Sequence, residues 1–369
     1  MRDGWKKVAL GEVAFVTDGD HLPPPKTANG IPFIFISNIE GFNKLSFTDC
    51  AYVPESYYEE IIDKRKVKEN DILYTVVGSY GIPVIIKDER KFCFQRHIAL
   101  IRAEKVSPDF LVQALDSDEF HLQADKVAIG EAQKTVTLEN LRKLKINLPP
   151  VQEQRKIAET LSIWDSVIEK TEKLIFEKEK MFDFIIKRIF TKTGTNCSLN
   201  KIAIINKGKQ LNKEYMISNG LVPVLNGGIS YSGFTNTANT KKNTITISEG
   251  GNSCGYVNYI SENFWAGGHC YTLEIKDKDI KTKFLYWMLK SKEKEIMKLR
   301  VGSGLPNIQL NDLNNLKISI FNEDEQCKII ETLDCQQREI SLLKKQLEQY
   351  KLQKQGLVQK LLTGEWRVK

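Results

Sequence analysis

A spacing of 3.5 residues runs through Pro150 to Lys192 and constrains the fold of the whole chain. Ile157, Leu161, Trp164, Ile168, Thr171, Ile175, Lys178, Phe182, Ile185 and Ile189 lie alternately four and three residues apart. All but Thr171 and Lys178 are apolar. That period predicts a narrow seam for a partner helix, not the wider stripe of a helix lying on a globular core. Pro150 suits a first helical turn, and Glu153 puts negative charge near the helix N-terminus. No proline or glycine follows until Gly194. The same spacing returns at Ile329, Leu333, Gln336, Ile340, Leu343, Leu347, Tyr350, Lys354, Leu357 and Leu361, each 172 residues on (329 − 157 = 172). The partner is therefore expected within the chain, and a two-fold relation between the copies makes the pair antiparallel.

The repeat extends beyond the helices. LGEVAFVTDG (Leu10–Gly19) matches LNKIAIINKG (Leu199–Gly208), and NDILYTVVGSYG (Asn70–Gly81) matches NTITISEGGNS (Asn243–Ser253). FCFQRHIALI (Phe92–Ile101) matches FWAGGHCYTL (Phe264–Leu273), which sets His97 on His269. The offset falls from about 190 to 172 along the copies, so the first carries roughly 18 extra residues, expected between Ile36 and Lys68. Two copies of such length are not a solenoid. Short runs rich in Ile, Val, Tyr and Thr, bounded by Gly, Asn and Asp, read as strands, with helices at Pro108 to Asp116 and Lys283 to Leu299. The expected fold class is mixed α+β, with two duplicated β-rich domains at 1–150 and 193–321. They alternate with helices at 151–192 and 322–369 that pair as an antiparallel coiled coil. The polar tail TGEWRVK is expected to cap the second helix.

At 369 residues, more than one domain is expected. The N-terminus lacks the apolar core of a signal peptide and no run suggests a membrane span, so a cytoplasmic protein is expected. Seven scattered cysteines without a CxxC suggest reduced thiols. The net charge of +7 is uneven: 20 basic against 22 acidic residues in 1–150, but 16 against 9 in 193–321. A basic second domain suits a polyanion such as DNA. A lysine-rich soluble surface would give the same count.

With these strings in view, the chain resembles the specificity subunits of type I restriction-modification systems. The resemblance covers nearly the whole chain. It rests on VTDGDHLPPPKTANGIPFI, NDILYTVVGSYG, RHIALIR, LPPVQEQRKIAETL, VGSGLPNIQLNDLNNLKI and LLTGEW, in that order. It implies two target-recognition domains, each reading half of a bipartite site in double-stranded DNA. It also implies a helix pair that sets the spacing and docks two methyltransferase subunits. S-adenosylmethionine would sit on those partners, with no cofactor in this chain, and motor-nuclease subunits could join them. The second copy departs from the first at its helix entrance, with FNEDEQ in place of LPPVQEQ. From Ile157 to Ile189 a helix would span roughly 50 Å.

The sequence holds no evident catalytic set. Asn147-Leu148-Pro149-Pro150 is an interrupted version of a methyltransferase loop, and there is no GxxxxGK[ST]. The four histidines are scattered and none falls in a ligand-spaced cluster with other His, Cys or acidic residues, so no metal site is expected. The DNA-reading candidates lie in matched polar loops. Arg96 suits guanine, and Gln133, Asn226, Asn252 and Asn307 suit adenine. Lys26, Lys134, Lys207 and Lys209 suit phosphates. Tyr80 and Tyr231 suit stacking on bases or sugars. Ser79, Thr135, Ser253 and Ser303 lie in the same loops, and His97 and His269 are contacting or structural. A free-standing DNA-binding regulator is the alternative function. It would usually carry a helix-turn-helix and a strongly basic reading helix, and neither is evident. A purely structural coiled-coil protein would not need two diverged β-rich domains.

Overall fold

The computed structural model describes residues 4–21, 24–131, 133–191, 195–302 and 306–368. The chain divides into two compact units, one of residues 1–171 with 346–369 and the other of residues 172–345. The β-rich runs fold alike in each.

In the first unit, ILYT at Ile72–Thr75 is buried at every position, as expected of a central strand. It lies in an antiparallel sheet of order Ala14–Asp18, Ile98–Ala103, Ile72–Thr75, Pro83–Ile85. A second sheet places Ile31–Ile34 between Ala51–Val53 and a parallel Cys93–Phe94. Lys6–Ala9 pairs with Lys145–Leu148. In the second unit the sheets have the same order. The four strands are Ala203–Lys207, Cys270–Ile275, Thr244–Ser248 and Val257–Ile260. Val222–Leu225 lies between Gly233–Thr235 and a parallel Trp265–Ala266, and Thr195–Ser198 pairs with Lys317–Ile320. The segment leading into each central strand turns on an asparagine with positive φ, Asn70 at 67° and Asn243 at 60°.

The extra length of the first copy is divided between two places. Sixteen residues separate Ile34 from Ala51 where seven separate Leu225 from Gly233. Eighteen separate Val53 from Ile72 where eight separate Thr235 from Thr244. The first gap holds the hairpin Ile39–Gly41 with Lys44–Leu45, and the second holds the helix Glu55–Glu60. The helix expected from Lys283 to Leu299 is also divided, into Thr282–Ser291 and Glu293–Lys298, because Lys292 leaves helical geometry at ψ 7°.

The long helices are Val151–Phe190 and Glu323–Leu362, 40 residues each. In the first unit Ile157, Ala158 and Leu161 share a core with Val358, Leu361 and Leu362. There Lys354 Nζ meets Asp165 at 2.6 Å, and the Trp164 and Tyr350 rings meet edge to face. In the second unit Ile186 shares a core with Ile329 and Leu333, and Lys178 meets Glu339 at 2.7 Å. Early residues of one helix thus meet late residues of the other, which is antiparallel pairing. Every apolar seam residue is buried or half-buried: Ile157, Leu161, Trp164, Ile168, Ile175, Phe182, Ile185, Ile189, Ile329, Leu333, Ile340, Leu343, Leu347, Tyr350, Leu357 and Leu361.

The seam is not purely helix on helix, however. Near its ends the buried stripe widens to take in Ala158 and Ile186, because those turns also lie on the globular cores. Phe182, for example, packs edge to face on Trp287.

The tail also does more than cap. Arg367 donates from Nε and Nη2 to Glu153 at 2.6 and 2.9 Å, and Trp5 Nε1 donates to the same carboxylate at 3.0 Å. In the second copy the matching Glu325 instead forms a reciprocal capping pair with Asn322, which offsets the loss of the entrance prolines. The next residue acts alike in both, with one more bond in the second. Gln154 accepts from Ser107 N and donates to Pro149 O, and Gln326 accepts from Lys281 N and donates to Asp279 O and Phe321 O.

Candidate nucleic-acid interface

Strand register decides which loops meet. In the first unit Asp18 opposes Ala99, and Thr75 opposes Ile98. The loops after Asp18, after Thr75 and before Ile98 therefore leave the same end of the sheet. Backbone bonds tie them together: Val76 N to His97 O at 2.9 Å, and Arg96 N to Asp20 O at 3.0 Å. The loop at 133–135 joins through Gly78 N to Lys134 O and a bridge between Val77 and Thr135. The turn at 78–81 needs its glycines, since Gly78 and Gly81 have φ of 70° and 100°. Thr75 Oγ1 holds this turn by donating to Ser79 O.

Ser79, Arg96, His97, Gln133, Lys134 and Thr135 thus come together at one sheet end. Ser79, Arg96, Gln133 and Lys134 are exposed, and His97 and Thr135 are half-buried. Burial, and then the Arg96 charge, hold the His97 imidazole below its ordinary pKa. At neutral pH it is an uncharged donor and acceptor, not a phosphate clamp. Tyr80 departs from the expected free aromatic: it is half-buried and its hydroxyl donates to Asp125 at 2.5 Å. Lys26 is exposed but sits elsewhere, beside Thr27, whose amide bonds Tyr52 O by the three-stranded sheet. Asp18, which opens the candidate loop that runs to Lys26, is pinned by His21 at 2.7 Å and Arg65 at 3.1 Å. A shallow depression beside that loop is lined by Gly19, Asp20, Tyr58, Arg65 and Phe94, among others.

The second unit repeats the convergence with other chemistry. Glu249 N bonds His269 O at 2.9 Å, as Val76 N bonds His97 O. Gly251 N bonds Pro306 O, as Gly78 N bonds Lys134 O. Asn307 bridges Gly250, and Ser253 Oγ donates to Gly227 O at 2.8 Å. Lys207, Asn226, Asn252, Ser253, His269 and Asn307 are gathered here, with Lys209 close by through its amide bond to Ala266 O. Asn252 and His269 are exposed, whereas Asn226 is half-buried with its Oδ1 buried against Gly267. Tyr231 belongs to the neighbouring hairpin, where its hydroxyl donates to Glu262 at 2.8 Å. Burial, with Glu262, pushes that phenol up to about 12. Ser303 lies outside the described residues.

Sequence reasoning missed Glu249. It is 4% exposed and occupies the place of Val76, also 4% exposed, in the first copy. Its Oε1 accepts from Lys207 Nζ at 2.5 Å and from the Tyr271 hydroxyl at 3.1 Å. The available signal was a lone acid at the end of the apolar run TITIS, set against valine in the other copy.

A family model described as the type I restriction modification DNA specificity domain matches residues 2–177 and again residues 192–351. A putative type I specificity subunit of Mycoplasma pneumoniae is 41% identical over 127 residues, 34% of this chain and 34% of that protein. Another, of Mycoplasma genitalium, is 38% identical over 38% of this chain and 37% of that protein. The matches therefore span little more than a third of these two relatives. The MjaVIII type I restriction enzyme specificity subunit of Methanocaldococcus jannaschii is 24% identical over 82% of this chain and 80% of its own length. Among solved structures, the S subunit of a type I restriction-modification system from M. genitalium superposes with a TM-score of 0.70. That match has 22% identity and covers 97% of this chain and 96% of that one, a likeness of fold.

Proposed function

From the chain's membership of the type I restriction modification DNA specificity family, shown by two matches that together cover most of its length, we propose that it is the non-catalytic subunit choosing where a type I complex acts. Each β-rich unit reads one half of a bipartite site in double-stranded DNA. The helix pair sets the gap between the halves and docks two methyltransferase subunits. Those subunits carry S-adenosylmethionine, and motor-nuclease subunits can join them. The proposed segments are recognition domains at 1–150 and 193–321 and helices at 151–192 and 322–369.

One observation carries the reading. The same backbone lattice gathers polar side chains at the same sheet end in both units, but the side chains differ. Arg96, Gln133 and Lys134 stand in one, and Lys207, Asn252, His269 and Asn307 in the other. A shared frame with different donors and acceptors is what two unlike half-sites require. Exposed apolar side chains on the long helices, such as Ile163 at 60% in the first unit and Phe176 and Phe184 at 53% and 60% in the second, suit protein partners. Among the described residues no helix is long and apolar enough to cross a membrane.

The test is to tag the chain in its source cell, identify what co-purifies and map methylated bases with and without it. A methyltransferase partner and a bipartite motif that vanishes on deletion are expected. DNA binding at specific sites with no methyltransferase and no change in methylation would favour a free-standing regulator.

A further inference from the structure

The ion pair of Lys207 with Glu249 at the reading edge of the second unit is not repeated at the matching positions of the first. Lys207 ends its strand and is half exposed, while its Nζ is held at 2.5 Å by the buried Glu249. Glu249 is fixed in turn by the Tyr271 hydroxyl, by its own amide on His269 O, and by Ile308 N on its carbonyl. Its Oε2 is buried without a hydrogen-bond partner among the described residues, and His269 Nδ1 lies 3.6 Å from it. That separation is too long for a hydrogen bond and within reach of a small shift. In the first copy the strand position of Lys207 is Asp18 and that of Glu249 is Val76.

A lysine meant to clamp phosphate is best left unpaired. A carboxylate behind it cancels its charge and repels the DNA backbone. A lysine meant to read a base gains from being held, because its rotamers are restricted before binding and its remaining ammonium protons keep a fixed direction. We propose that Glu249 is a positioning residue that aims Lys207, with His269 beside it, at the acceptor edge of a base pair in the second half-site. The chemistry fits guanine O6 and N7 in the major groove. Lys207 is then a specificity residue and not the phosphate contact its charge suggests. This inference rests on the proposed DNA-reading role.

The experiment uses the full chain assembled with its methyltransferase partner. Glu249→Val installs the residue of the other copy, and Glu249→Gln keeps the shape should valine unsettle the fold. Lys207→Met removes the ammonium. Methylation mapping and the salt dependence of binding are read for each. Lys207→Met should relax base preference at a position of the second half-site and leave the salt slope unchanged. Both Glu249 variants should relax the same position and steepen the slope, because the freed lysine can take a phosphate, worth about 0.9 in the log–log slope. The first half-site should be unaltered in all three and serves as the internal control. Uniformly weaker binding to every sequence in Lys207→Met, with a slope shallower by about 0.9, would overturn the proposal, and so would unchanged preference in all three. An unsubstituted complex with no bipartite site would instead overturn the functional reading itself.

Discussion

Asp116 shows how a single side chain can report on the junction of helix and domain. Burial is the main cause that raises its carboxyl pKa from 3.8 to about 7; Lys354 opposes the shift, and Asp165 and Asp118 add to it. The folded state therefore holds a proton that the unfolded chain releases near pH 4. Stability from this residue is present in acid and is lost as pH rises from about 4 to about 7. Asp116→Asn should stabilise the protein at pH 8, by on the order of 1–3 kcal/mol, and do little at pH 4. Denaturant titrations at the two pH values check this, and an equal effect at both would refute it. Such couplings mark where the sequence stops being readable. The alignment of His97 with His269 and the acid of Glu153 near a helix start are visible in the string. That Glu153 holds Trp5 and Arg367, 148 and 214 residues away, is not. Nor is the burial of Glu249, which depends on a lysine 42 residues earlier.

Among elements, the long helices were the most legible, because a 3.5-residue period repeated at a fixed offset fits little besides a pair of helices. The strands were legible as apolar runs, but not their pairing. The parallel contact of Cys93–Phe94 with Ile31–Ile34 joins segments about sixty residues apart that carry no local signal. The divided insertion was also hidden, since an offset gives the total of extra residues and not their places. The paired helices make a prediction of their own. One heptad added to both preserves every seam face and lengthens the pair by about 10 Å. At ~3.4 Å per base pair the gap between half-sites should widen by up to about three base pairs, with bending of DNA absorbing part of this. The half-site sequences should not change, because the reading loops are untouched. Methylation mapping of the lengthened variant decides; a constant gap would show that the helices do not set the spacing.

For the whole molecule, the core of the first unit is completed by Val358, Leu361 and Leu362. A fragment ending at Lys192 lacks them. At the repeat offset of 172, the corresponding residues are Ile186, Ile189 and Phe190, which the fragment does contain. Two copies should therefore complete each other's cores and form a symmetric dimer. With methyltransferase present, that dimer should modify a palindrome made of two first half-sites. Light scattering tests the first step, and a monomer at micromolar concentration would count against the exchange. Gln154 and Gln326 add a different consequence. Each fastens a globular part to its helix, and each bonds main-chain atoms only: Ser107 N and Pro149 O in one, Lys281 N, Asp279 O and Phe321 O in the other. Every amino acid but proline offers the same main-chain groups, so the socket registers no side chain and excludes only proline at the two donor positions. A domain cut from a distant relative, provided its loops follow the same path, finds its fastening already in place. On the proposed DNA-reading role, exchanging a whole globular part changes the target with no need to refit the joint.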